Sequence, residues 1–198
     1  MSRLIESIKV YNKRLYNIEY HNARMNNSRA ELFNSKDQID LSKIILLPDD
    51  LLNELYKCRV IYSEKIISVD FQRYKKRKVD CLQIVHDNEI TYSHKFEDRT
   101  KFEKYLTKAK ADEILIIKNE LVTDISFSNV VFSDGIKYFT SSTPLLKGTK
   151  RAKLIAEDII QEEEIKLKDI SKFKSFYLIN ALLDLDEENK LPIERIIL

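Results

Sequence analysis

The chain reads as a mixed α/β (α+β) protein in two lobes. Segments rich in Val, Ile, Tyr and Phe alternate with polar residues at every second position, as half-buried strands do. Between them run stretches whose apolar residues recur at helical spacing. After His86-Asp87-Asn88 the texture changes and a second set of strands and helices begins. That change places a lobe boundary near residues 87–92 and predicts lobes spanning 1–90 and 91–198.

IESIKVY, then Asn12-Lys13, then RLYNIEY predicts two strands joined by a tight turn. From Tyr20 to about Phe33, Met25, Ala30 and Leu32 are spaced for a short amphipathic helix. Pro48 followed by DDLLNELYKC carries helix-start signals, because proline suits a first turn and acidic residues there oppose the positive end of the helix dipole. Residues 59–86 predict two or three strands. TKFEKYLTKAK (100–110) predicts a helix with Phe102, Tyr105 and Leu106 on one side. EILIIKN and ELVTDISFSNVVFSDG predict strands, and IKYFT continues the sheet. A helix opens at Gly148-Thr149 in GTKRAKLIAEDII, and the chain ends in short strands with one further helix around Leu167–Phe173.

A hydrophobic fraction of 43% in 198 residues is enough for a sizeable core. The 34 basic and 32 acidic side chains leave a net charge of +2, so no nucleic-acid partner is expected: backbone binding requires a clustered basic surface. The one basic run, YKKRK at Tyr74–Lys78, reads as a solvated strand end or turn. Cys58 and Cys81 make neither a disulfide framework nor a zinc site, so reduced, partly buried thiols and no metal are expected. No signal peptide and no apolar stretch of membrane-spanning length is visible, and a cytoplasmic protein is expected. With Gly135 and Gly148 as its two glycines, the chain cannot build a GxGxxG or Walker loop. Any phosphate must be held another way.

Four residues are candidates for chemistry, and two of them, Arg24 and Thr149, for holding a phosphate. Lys95, in TYSHKFEDR, is a candidate amine for an aldehyde, since lysine loses its proton near neutral pH when desolvated or beside other cations. Asp124, in LVTDISFSN, is a carboxylate inside an apolar run, where burial demands a partner. Arg24 follows His21 at a helical spacing of three in EYHNARM, and an arginine fork suits phosphate. Thr149 stands where a helix begins, so its hydroxyl and the helix amides could hold a phosphate. Each has a plain structural alternative: a surface lysine, a turn aspartate, a surface arginine, an N-cap threonine.

Their order along the chain is more specific. YHNAR, HKFEDR, DEILIIKNELVTDISFSNVVF, TPLLKGTKR and INAL resemble the class-IV aminotransferase family over about Glu6 to Asp184. The resemblance implies the PLP-dependent fold type IV, here with a shortened N-terminal lobe, and pyridoxal 5'-phosphate (PLP) as cofactor. It implies Lys95 as the Schiff-base lysine, Asp124 in place of the family's glutamate facing the pyridine nitrogen, and Arg24 as the phosphate arginine. Gly148 and Thr149 fall in the phosphate-holding loop and helix start, with Ser128 and Asn129 close to the cofactor. His21, Asn180 and Ala181 fall on the substrate side. The resemblance favours 4-amino-4-deoxychorismate lyase activity, which yields pyruvate and 4-aminobenzoate for folate synthesis. A branched-chain or D-amino-acid type transaminase, or a catalytically degenerate binding protein, is the alternative. A small amino substrate and a homodimer are the partners it implies.

Overall fold

The computed structural model describes residues 2–197. The chain divides into two compact units, one running up to Lys75 together with His94–Asp98, the other Lys76–Ser93 together with the chain from Arg99 on. The division thus falls after Lys75 rather than near residue 90, and Lys95 belongs to the first unit, not to the C-terminal one.

In the first unit, β1 (Leu4–Tyr11) and β2 (Arg14–Leu15) form the expected hairpin. Asn12 and Lys13 both adopt positive φ, 48° and 55°, the two-residue turn whose twist matches its strands. Helix α1 (Ile18–Phe33) starts two residues earlier than the apolar spacing indicates. It stops at Asn34, whose left-handed backbone lets the Asn34 and Ser35 amides reach Ala30 O and Arg29 O. The short α2 (Leu41–Ile44) follows. The helix expected after Pro48 is absent: 49–55 form turns and irregular chain with Leu52, Asn53 and Glu54 exposed, and strand begins at Tyr56. A start signal without a sustained apolar stripe does not repay helix nucleation.

β3 (Tyr56–Tyr62) and β4 (Ile66–Arg73) complete a sheet of order β2-β1-β3-β4. Leu4, Ile8 and Val10 of β1 and Tyr56, Cys58, Val60 and Tyr62 of β3 turn to one face, where they pack with Met25 of α1 and Leu41 of α2.

The second unit is built on a longer sheet. Its strands are β5 (Leu82–His86), β6 (Glu113–Lys118), β7 (Leu121–Ile125), β8 (Asn129–Ser133), β9 (Tyr138–Ser141), β10 (Gln161–Glu163), β11 (Ser175–Ile179), β12 (Lys190–Pro192) and β13 (Ile196–Ile197). The order is β10-β9-β8-β7-β6-β5-β13, with β11 paired to β8 and β12. β6, β8 and β11 are buried along almost their whole length, which explains their continuous apolar runs. Helices α3 (Thr100–Leu106) and α4 (Thr149–Ala156) stand where the sequence placed them, and Leu167–Lys172 is a 3-10 turn. Both cysteines are thiols, Cys58 buried and Cys81 half-buried. Among the described residues no cluster suits a metal ion, and no helix is long and apolar enough to cross a membrane.

Candidate active site

The backbone of the Lys95 segment pairs with β1. The Ile5 amide donates to Lys95 O at 2.9 Å, Phe96 bridges Leu4, and the Glu97 amide donates to Arg3 O at 2.9 Å. Phe96 joins the core of the first unit. Burying an aromatic ring there is worth on the order of 2 kcal/mol, which anchors the segment. Glu97 meets Arg59 and Arg3 on the other face of the sheet, whereas the chain turns at His94–Phe96 and the Lys95 charge lies near enough to buried His21 to act on it. Lys95 itself is half-buried.

The core face carries a charged cluster. Glu6 lies on β1 between Leu4 and Ile8 and is fully buried. Arg24 Nε donates to Glu6 Oε1 at 2.9 Å and Nη2 donates to Oε2, while His21 Nδ1 meets Oε2 at 2.6 Å. The spacing of three puts His21 and Arg24 on one side of α1, facing β1. Burial pushes the Glu6 carboxyl up, but the Arg24 charge and the His21 hydrogen bond outweigh it and bring it down to about 2. Burial also lowers His21 against the pull of Glu6, and the charges of Arg24 and Lys95 act in the same downward direction. His21 is therefore neutral at pH 7, and its ring proton sits on Nδ1, donating to the Glu6 carboxylate. Glu6 fixes the direction of the Arg24 fork; the sequence reading did not single it out. Its signal was its place in the Leu4, Ile8, Val10 alternation, where a carboxylate must find partners.

In the second unit Asp124 is the penultimate residue of β7 and Asn129 opens β8, directly opposite each other across a tight hairpin. Asn129 Nδ2 donates to Asp124 Oδ1 at 2.7 Å and to Leu146 O at 2.9 Å, and the Leu146 amide donates to Asp124 Oδ2 at 2.9 Å. The carboxylate is thus clamped between the hairpin and the loop before α4. Burial raises Asp124 to about 6, against the lowering effect of the Leu146 amide, Asn129 and the Arg151 charge. Gly148 caps α4, and a Cβ there would stand 2.1 Å from Asn129 Oδ1, so no side chain fits. Thr149, the first residue of α4, is buried. Ser128 Oγ is buried and has no protein partner.

Asn180 shapes its own turn. Its Oδ1 accepts from the Leu182 and Leu183 amides at 2.8 and 3.0 Å, and its Nδ2 reaches Phe127 O at 3.4 Å, which ties the turn containing Ala181 to the β7–β8 hairpin.

The structure therefore groups His21 with Arg24 in the first unit, and Asp124, Asn129 and Gly148 in the second. A family model for amino-transferase class IV matches residues 3–185. The chain belongs to the class-IV aminotransferase family. A Haemophilus influenzae protein of uncharacterised function is 35% identical over 185 residues, covering 92% of this chain and 98% of that one. A Haemophilus somnus structure, provisionally assigned as a 4-amino-4-deoxychorismate lyase, is similar at 31% identity and a TM-score of 0.84, covering 93% of this chain and 98% of that chain. A hypothetical aminotransferase from Mycobacterium tuberculosis in its PLP-bound form shares the fold at 13% identity and a TM-score of 0.73, covering 98% of this chain and 81% of that chain. This member of the class-IV aminotransferase family thus has the mixed α/β fold of type IV, as the sequence resemblance implied.

Each unit, taken by itself, carries groups of a kind that the cofactor of that fold can use. The Ser128 hydroxyl is a buried polar atom awaiting a partner, and Asp124 is a buried carboxylate whose ionisation an N–H donor would favour. Arg24 supplies an oriented cation, and α4 opens with buried Thr149 behind a glycine.

Proposed function

We propose that this class-IV aminotransferase uses PLP as a 4-amino-4-deoxychorismate lyase, releasing pyruvate and 4-aminobenzoate. One observation carries the cofactor reading: Asp124, in the family's ring-nitrogen position, is a buried carboxylate clamped by Asn129 and Leu146 with a raised pKa of about 6. A bare surface aspartate needs no such clamp. When bound, PLP supplies an aldehyde for an amine and an electron-withdrawing ring that stabilises charge on carbon.

The remaining work belongs to the chain. Lys95 Nζ would be the amine that holds the cofactor, and it would accept and return a proton at the reacting carbon. Asp124 stays ionised to hold the proton of the ring nitrogen. Arg24, whose Nε–Nη2 edge is committed to Glu6, would offer its positive charge, and the Gly148-Thr149 start of α4 its amides, to the phosphate. Ser128 Oγ and Asn129 steady the ring side of the site, and Asn180-Ala181 the substrate side.

The lyase is favoured by the likeness to the Haemophilus somnus structure. Amino exchange is the second reading, supported by the description of the family itself. A homodimer in the cytoplasm that serves folate synthesis belongs to the same proposal. Aminodeoxychorismate supplied to PLP-loaded protein should give stoichiometric pyruvate and 4-aminobenzoate. Amino transfer between an amino acid and a 2-oxo acid, with no 4-aminobenzoate formed, would replace lyase by transaminase.

A further inference from the structure

The basic run Tyr74–Lys78, for which the cofactor has no use, contributes three residues to a cavity of about 270 Å³. Every residue that lines the cavity belongs to the second unit. Phe127, between the strands of the β7–β8 hairpin, joins Leu178, Leu183 and Leu191 as an apolar floor. Lys76, Arg77 and Lys78 follow one another along its edge.

The floor and the edge are braced against each other. The Arg77 guanidinium lies over the Phe127 ring, 5.5 Å from its centre. Arg77 Nη1 donates to Glu113 Oε2 at 2.9 Å, and Ser126 Oγ, next to Phe127, donates to the same oxygen at 2.8 Å. Asn180 Nδ2 reaches Phe127 O at 3.4 Å. The cavity is therefore formed before anything enters it, as small-molecule sites usually are.

Charge on the edge is unequally committed. Lys78 Nζ pairs with Asp80 Oδ2 at 2.9 Å and Arg77 with Glu113, but Lys76 Nζ donates to the neutral Glu188 carbonyl at a long 3.3 Å. An ammonium so placed gains from a carboxylate, because charge-assisted hydrogen bonds are roughly twice as strong as neutral ones. Asp80 and Glu188 also line the cavity, so a single negative charge is tolerated there better than two. A dry apolar cavity of about 150 Å³ holds benzene, so one ring bearing a carboxylate is accommodated in this one. A flat ring stacked against Phe127 gains more than its buried area alone provides.

We propose that this cavity is a second ligand site, selective for a small aromatic carboxylate, with the ring on Phe127 and the leucines and the carboxylate on Lys76 Nζ. Such a site stands whether or not the proposed reaction does.

Equilibrium dialysis of radiolabelled benzoate against PLP-loaded protein tests it. Saturable binding with a millimolar dissociation constant is expected for so small a ligand. Acetate and benzamide, which keep only the charge or only the ring, should compete more weakly than unlabelled benzoate. Lys76→Met should weaken binding about two- to five-fold, as for one exposed charge pair. Leu191→Trp, whose indole fills the floor from a half-buried position, should abolish it, and Lys172→Met, outside the cavity, should leave it unchanged. The Phe127 ring resonances, assigned by their loss in Phe127→Leu, should shift along the same saturation curve, which locates the ligand even where Leu191→Trp fails to fold. Absence of saturable binding, a Phe127 ring insensitive to benzoate, binding unmoved by Lys76→Met or falling equally in Lys172→Met overturns the site. So does acetate that competes as well as benzoate, or benzoate that binds only when PLP is left out and therefore occupies the cofactor's place. A chain that takes no PLP removes the proposed function, and the same dialysis without cofactor then judges the cavity by itself.

Discussion

Replacing Gly148 by alanine should destabilise the second unit, although the bare backbone argument says the opposite. Gly148 has φ −68° and ψ 147°, a conformation any residue adopts. Reduced freedom of the unfolded chain would then make Gly148→Ala stabilising by roughly 0.4–1 kcal/mol. The new methyl, however, would stand 2.1 Å from Asn129 Oδ1 and 3.3 Å from its Cγ. The Asn129 amide must move by more than about 1 Å to reach van der Waals distance. It cannot do so and keep both of its donations, 2.7 Å to Asp124 Oδ1 and 2.9 Å to Leu146 O. Each buried acceptor left without its donor costs roughly 1–3 kcal/mol, so a net loss of about 3 kcal/mol is expected. At this chain length that lowers the melting temperature by roughly 6–12 °C. Thermal melts by circular dichroism read the change directly. In an Asn129→Ala background the obstructing atom is gone, and Gly148→Ala should be neutral or mildly stabilising. A melting temperature unchanged or raised in the single variant, or costs that simply add in the double variant, would refute the clamp around Asp124.

Three further outcomes are expected. Glu6 has a folded-state pKa near 2 against an ordinary value of 4.5, so its stabilising contribution is complete above about pH 4.5 and is lost as pH falls toward 2. Glu6→Gln should flatten the acid side of the stability profile measured by denaturant titration at several pH values, and should cost about 3–5 kcal/mol at pH 7 because Arg24 loses its buried partner. Asp124 behaves oppositely: its raised pKa makes its ionisation unfavourable in the fold, and its contribution to stability diminishes as pH rises from about 3.8 to about 6. Carbon-13 detection of its carboxyl should show a midpoint near 6 that drops by at least about one unit when PLP is added, since an N–H donor favours the charged form; an unmoved midpoint speaks against a ring-nitrogen partner. Asp124→Ala should leave cofactor binding partly intact and lower turnover roughly 100-fold, the scale of one preorganised electrostatic contact.

Much of this was written in the sequence, but unevenly. The hairpin turns at Asn12-Lys13 and Asn119-Glu120 follow local rules, and both pairs adopt the positive φ such turns require. The pairing of Asp124 with Asn129 is also local, since the two flank a short hairpin loop. Lys95 was legible as a residue but not in its placement. Its segment leaves the second unit's stretch of chain and pairs with β1, a contact spanning some ninety positions that no periodicity reveals. Glu6 escaped notice because an acidic residue in an alternating strand looks solvent-facing until α1 delivers His21 and Arg24 to it. The false helix after Pro48 shows the reverse error, a strong local start signal with no apolar stripe to bury. YKKRK behaved as a connecting stretch, with Arg77 paired to Glu113 and Lys78 to Asp80.

The central claim, that Lys95 carries the cofactor, has a direct test. Protein incubated with PLP, reduced with borohydride and digested with trypsin should show the phosphopyridoxyl mass on the peptide containing Lys95, and Lys95→Ala should show none. Label spread over other lysines, or absent from that peptide in the wild-type chain, would contradict the account.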